Sequence, residues 1–259
     1  MHLIIPDWIG APRNVGALVT SREGGVSQPP YDNGTGGGGL NLGAHVGDQL
    51  ADVERNRALL DTLLPVSPLW MTQVHGINVV DAGKAALGVE ADAAMTTTPG
   101  AVCAIQTADC LPVLFCDVDG RAVGAAHAGW RGLAGGVLEN TVTRMRDAGA
   151  GEIIAWLGPA IGPQRFEVGA EVLARFMSVA RTRQASADIL HQTESAFVPI
   201  AERPGKYLAD IYSLARIVLQ EIGVLRVYGG GACTVSDQQF YSYRRDKVTG
   251  RMASLIWLK

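Results

Sequence analysis

The sequence predicts an α+β fold, a mixed β-sheet sandwich core with helices packed outside. Short runs rich in Val, Ile and aromatic residues outnumber helical patterns. They also lack the regular βαβα rhythm of a doubly wound sheet. Gly or Pro punctuates nearly every junction, and 32 glycines among 259 residues exceed ordinary usage.

Taken in order, the expected strands are Gly16–Thr20, Leu69–Gln73, Ile77–Asp81, Val102–Gln106, Val113–Asp117, Arg121–Ala126, Ile153–Leu157, Arg226–Tyr228, Phe240–Tyr243 and Ser254–Leu258. Asp119-Gly120 between two apolar runs signals a hairpin. Asp48 is placed to cap a helix running to Leu64, which Pro65 stops. Leu138, Val142 and Met145 mark a second helix ending near Gly149, and Glu171–Phe176 a third. Asp210 caps a fourth, in which Leu214, Val218 and Ile222 line up before Gly223. No repeat or long linker divides the chain, so residues 1–259 are expected to form a single domain. The Gly/Pro-rich stretch 28–39 lies inside an early loop expected to be mobile.

Composition narrows the function classes. Hydrophobic residues at 47% and charged residues at 18% describe a folding chain rather than a solvated polymer. A net charge of −3 without a long basic run argues against a nucleic-acid partner. No run of eighteen apolar residues appears, so no membrane span is expected. Residues 1–10 lack the basic and apolar pattern of a signal peptide. Four cysteines are too few for a disulfide scaffold, which points to a reducing cytoplasm.

Three segments place a His or Cys beside a strand–turn junction: Gln73-Val74-His75-Gly76, Thr107-Ala108-Asp109-Cys110-Leu111-Pro112 and His127-Ala128-Gly129-Trp130-Arg131-Gly132. His75, Cys110 and His127 are far apart in the chain, unlike finger ligands about two to five residues apart. A site made from them is assembled by the fold. Two imidazoles and one thiolate are a set that zinc accepts, with a fourth tetrahedral position left for water. The same residues also suit a Cys110 nucleophile activated by His127. Arg131, at a glycine turn before a helix, is a candidate phosphate clamp or else a surface arginine. Arg245, in Arg244-Arg245-Asp246, is a second basic candidate. Asn41 and His45, in the segment from Leu40 to Asp48, are candidate substrate contacts, as is the loop Ser21–Ser27.

Taken with Gly158-Pro159-Ala160-Ile161-Gly162, the later Glu167-Val168-Gly169 and Tyr241-Ser242-Tyr243-Arg244-Arg245-Asp246, these motifs run in family order over nearly the whole chain. The sequence resembles the YfiH-type family, known as laccase-domain or multicopper polyphenol oxidase proteins and as purine nucleoside phosphorylases. The resemblance implies that His75, Cys110 and His127 bind zinc. It further implies phosphorolysis of adenosine, inosine and 5′-methylthioadenosine, adenosine deamination, and a related role in editing peptidoglycan precursors. The departures are the glycine run Gly36–Gly39 and Gln49, where an acidic residue is common.

On that reading the partners are purine nucleosides and phosphate. Asp109 would move a proton during deamination, while Arg131 and Arg245 would hold phosphate. Multicopper oxidation needs a histidine-rich ligand set, but the chain has five histidines, of which His2 and His191 lie outside the motifs. One zinc site is therefore expected, with copper as an adventitious occupant because Cu²⁺ tops the affinity order. The rival reading is a metal-independent Cys-His hydrolase acting on peptidoglycan precursors. A third is a binding protein that merely retains zinc.

Overall fold

The computed structural model describes residues 1–259. It begins with β1 (Leu3–Ile4), β2 (Val15–Thr20) and β3 (Glu23–Ser27), then α1 (Leu50–Asp61), β4 (Val79–Asp81) and β5 (Ala93–Thr96). Next come β6 (Val102–Thr107), β7 (Leu111–Asp117), β8 (Val123–Ala128), α2 (Trp130–Gly135), α3 (Val137–Asp147) and β9 (Ile153–Leu157). They are followed by β10 (Glu167–Gly169), α4 (Ala170–Thr182), α5 (Ala187–Ser195), β11 (Phe197–Pro199) and β12 (Lys206–Ala209). The remaining elements are α6 (Ile211–Glu221), β13 (Val227–Gly229), α7 (Tyr243–Asp246) and β14 (Met252–Leu258).

The strands form a six-stranded sheet in the order β13-β9-β7-β8-β5-β4, a four-stranded sheet β1-β2-β14-β6 and a small sheet β10-β12-β11. The six-stranded sheet is mixed: β13 runs parallel to β9 and β4 parallel to β5, while the central pairs are antiparallel. Period-two alternation then builds the layers. Leu114, Cys116, Val123 and Ala125 meet Val19, Cys103, Ile105 and Ile256 between the two large sheets. On the opposite face, Val113, Phe115 and Ala126 pack under Leu138, Val142 and Leu214 of α3 and α6. The outer face of the four-stranded sheet, through Ala104, Ala253 and Leu255, is covered by Leu60 of α1. Helix, sheet, sheet and helices thus stack in four layers. Both faces of β6, β7 and β8 are buried, so these strands read as continuous apolar runs.

The Asp119-Gly120 turn joins β7 to β8 as expected, with Gly120 at φ +71°. Other elements differ for identifiable reasons. Leu69–Gln73 forms only isolated bridges. The Gln73 side chain replaces a ladder there, donating from Nε2 to Gln106 O and accepting from Gln106 N. Phe240–Tyr243 is not a strand: Phe240 N donates to Asp237 O in a turn, and the two buried rings pack in a small cluster with Met252. Ser242 instead caps α7 by accepting from Arg245 N. Asp48 does not cap α1, because its Oδ2 accepts from Ser27 and Asn41 while Gln49 occupies the cap. Ser21–Ser27, expected as a binding loop, contributes β3, and α5, capped by Ser186, was not expected.

Candidate metal centre

The antiparallel register pairs Pro112 with His127 and Leu111 with Ala128. Cys110 and Gly129 therefore lie just past the ladder, at one end of the cleft between the large sheets. His75 arrives from the segment before β4. One ligand atom from each of His75, Cys110 and His127 lies within 4.8 Å of the others. Cys110 Sγ is 3.8 Å from His75 Nε2, and the imidazole rings meet edge to face with centroids 4.8 Å apart.

Asp92 organises this cluster. It immediately precedes β5, its carbonyl accepts from His127 N, and its carboxylate accepts from His127 Nδ1 at 2.8 Å. It also accepts from the backbone N–H groups of Val74, His75 and Gly76. The first contact fixes the His127 tautomer, with Nε2 left as the ligand atom. The others hold His75 at φ +60°, a backbone region unusual for a residue other than glycine. Asp109, at φ +91°, is pinned in the same manner: Oδ1 accepts from Thr234 Oγ1 and Oδ2 from Arg244 N. The restraint on Asp109 aims the adjacent Cys110.

Charge completes the arrangement. Burial alone would raise the Cys110 thiol pKa, yet His127 and His75 outweigh it and hold the pKa below its ordinary value. Burial would lower the His127 pKa, but Cys110 and Asp92 raise it. Burial would raise Asp92, but hydrogen bonds from His127, Gly76 and Val74 keep it low. A side chain at Gly129 would place Cβ 3.0 Å from His75 Cδ2, 3.1 Å from Cys110 Sγ and 3.6 Å from His127 Nε2. Glycine therefore keeps the centre of the three donors clear. A cysteine sulfur and two imidazoles whose ligand atoms all lie within 4.8 Å of one another fit a metal ion.

The cluster borders a cavity of about 820 Å³ that also includes His45, Trp70, Gln106, Tyr243, Arg57 and Arg251. Of the residues singled out in the sequence, His45 reaches this cavity with the three donors. Asn41 does not reach it: fully buried, it donates to Asp48, accepts from Gly43 N and Arg251 N, and braces the loop. Arg131 is exposed, with its guanidinium over the Trp130 ring, outside the cavity. Arg245 is tied to Asp246 and to the carbonyls of Thr234 and Phe240, a structural clamp rather than a free cation. Asp109 is likewise absent from the lining, its carboxylate engaged by Thr234 and Arg244. Sequence reasoning did not find Asp92, Arg57 or Arg251. Only the β5–β8 register marks Asp92, and only cavity position marks the two arginines.

Residues 16–259 match the family model described as multi-copper polyphenol oxidoreductase laccase. A purine nucleoside phosphorylase of Pseudomonas aeruginosa is 52% identical over 257 residues, covering 99% of this chain and 98% of that protein. Purine nucleoside phosphorylase YfiH of Escherichia coli is 51% identical over 260 residues, with the same coverage. Among solved structures, a Neisseria meningitidis protein superposes with a TM-score of 0.87 at 46% identity over all of both chains. YfiH of Bacillus licheniformis superposes with a TM-score of 0.81 at 31% identity, covering 95% of this chain and 93% of the other. Matched from end to end in sequence and in fold, the chain belongs to the laccase-like YfiH family.

Proposed function

We propose that the protein is a zinc-dependent purine nucleoside phosphorylase that also deaminates adenosine. The carrying observation is the convergence of His75, Cys110 and His127 at the edge of a cavity large enough for a nucleoside. The names of close relatives support nucleosides and phosphate as substrates. The laccase description does not suit this donor set. The chain has one cluster of three or more potential ligands, whereas multicopper oxidation requires several.

His75 Nε2, Cys110 Sγ and His127 Nε2 would hold the ion, and Asp92 keeps His127 oriented. A zinc ion there supplies Lewis acidity to the bound substrate or to water. In phosphorolysis, a phosphate oxygen bonds to ribose C1′ while the C1′–N9 bond breaks and the purine takes up a proton. In deamination, water adds at C6 and ammonia leaves. Trp70, Leu87 and Tyr243 line the cavity and provide faces for a purine ring. Adenosine, inosine and 5′-methylthioadenosine share that ring and differ at C6 or at the ribose 5′ position.

The same Cys110, His127 and Asp92 arrangement supports a second reading, a metal-independent hydrolase acting on peptidoglycan precursors, because it matches nucleophile, base and orienting group. The second imidazole weighs towards a metal: a thiol needs one base, yet His75 also turns Nε2 to Cys110. The test is phosphate-dependent release of hypoxanthine from inosine. Release should disappear in Cys110→Ala and after chelation, and return with zinc. Full nucleoside turnover by metal-free protein would overturn the zinc mechanism.

A further inference from the structure

We propose that Arg57 and Arg251 are the cationic walls of a phosphate subsite, with the Gln106 carboxamide as its neutral polar contact. The proposal deepens the phosphorylase reading and rests on it for the role of the anion in turnover. Phosphate binding itself is independent of that reading.

The residues converge through the four-stranded sheet. Ala253 pairs with Gln106 across β14 and β6, and Arg251 immediately precedes β14. Arg57 comes from α1, the helix covering the same sheet. All three side chains belong to the cavity that contains the His-Cys-His cluster. Each guanidinium is held by one edge through main-chain carbonyls. Arg57 donates from Nε and Nη2 to Leu42 O, leaving Nη1 free, and its plane lies over Trp70 with Cζ 4.4 Å from the ring centroid. Arg251 donates from Nη1 to Thr249 O and Gly250 O, leaving Nε and Nη2 free. Neither makes an ion pair, although Arg22, Arg55, Arg121, Arg183, Arg203 and Arg226 all do.

Two half-buried, pre-oriented guanidiniums with no carboxylate in direct contact leave charged donors that an anion in the cavity would satisfy. Their planar forks match tetrahedral phosphate oxygens. A second observation points to the same ligand. Gln106 is only 7% exposed, and its Oε1 is buried without a hydrogen-bond partner. That acceptor suits a protonated phosphate oxygen or a ribose hydroxyl beside it. Free orthophosphate and the phosphate of a nucleoside monophosphate share this chemistry.

The experiment is equilibrium titration of full-length, metal-loaded protein with inorganic phosphate and, separately, with inosine monophosphate. It is run for wild type, Arg251→Gln, Arg57→Lys and Arg55→Gln, together with steady-state inosine phosphorolysis. Arg57→Lys keeps the charge and removes the fork. Arg55→Gln makes the same charge change as Arg251→Gln on an exposed part of α1. Phosphate affinity should fall about tenfold or more in Arg251→Gln and Arg57→Lys, and stay within twofold in Arg55→Gln. The KM for phosphate should rise in parallel, with the KM for inosine nearly unchanged. Tighter binding of the monophosphate, lost in the same variants, would support the subsite and identify a substrate-borne phosphate as its occupant. Wild-type phosphate affinity in both cavity variants, or no phosphate binding by wild type, would overturn the subsite even if inosine is cleaved. Phosphate binding that the variants lose, without inosine cleavage, would uphold the subsite and count against the phosphorylase reading.

Discussion

Asp92 shows how one carboxylate sets the geometry of a site it does not itself complete. It orients His127 through Nδ1 and secures the His75 turn through three backbone N–H groups. Asp92→Asn places an amide nitrogen where an acceptor is needed. We expect metal affinity to fall by about 10–100-fold, measured by competition with a chromogenic chelator. Unchanged affinity would remove Asp92 from the site. Gly129→Ala tests the same geometry from the other side, since its Cβ would approach Cys110 Sγ and His75 Cδ2. Its expected result is reduced metal content in a protein of near wild-type circular dichroism.

At the level of elements, strand ends and caps hold the site rather than any local motif. The end of β8 carries His127, the start of β7 follows Cys110, and the end of β6 supplies Gln106. Tyr212 of α6 ties neighbouring loops together: its hydroxyl accepts from Ala160 N and lies 3.0 Å from Ala232 O. Helix α6 begins at Asp210, which accepts from Tyr212 N, Ser213 N and Ser213 Oγ. Asp210→Ala should cost about 1 kcal/mol. In a chain of this size that lowers the melting temperature by roughly 2–4 °C. A thermal shift assay measures the change, and an unaltered melting temperature would show that the cap contributes nothing.

For the whole molecule, the interface between the two large sheets is a continuous apolar layer contributed by both of them. Leu114, fully buried there, faces side chains from both sheets. Leu114→Ala should destabilise the fold by about 2–5 kcal/mol through lost burial and a residual cavity. Leu225→Ala, at a position 76% exposed, should change stability by less than about 0.5 kcal/mol. Denaturant midpoints compare the two, and equal costs would contradict the layered core. No helix is long and apolar enough to cross a membrane, in keeping with the absence of a long apolar run in the sequence.

The sequence by itself determined the α+β class, most central strands and the trio His75, Cys110 and His127. Those features reside in residue type, short-range periodicity and motif order. It misread Phe240–Tyr243, because buried aromatics imply burial rather than extension. It named Arg131 and Arg245 as phosphate candidates from local pattern, which does not show that Arg131 lies outside the cavity or that Arg245 is bonded to Asp246 and main-chain carbonyls. Asp92, Arg57 and Arg251 became legible only in three dimensions. Strand register set Asp92 beside His127, while helix packing and the end of β14 brought two arginines without carboxylate partners to one cavity. A side chain's type is written locally, but its partners are fixed by residues far away in the chain.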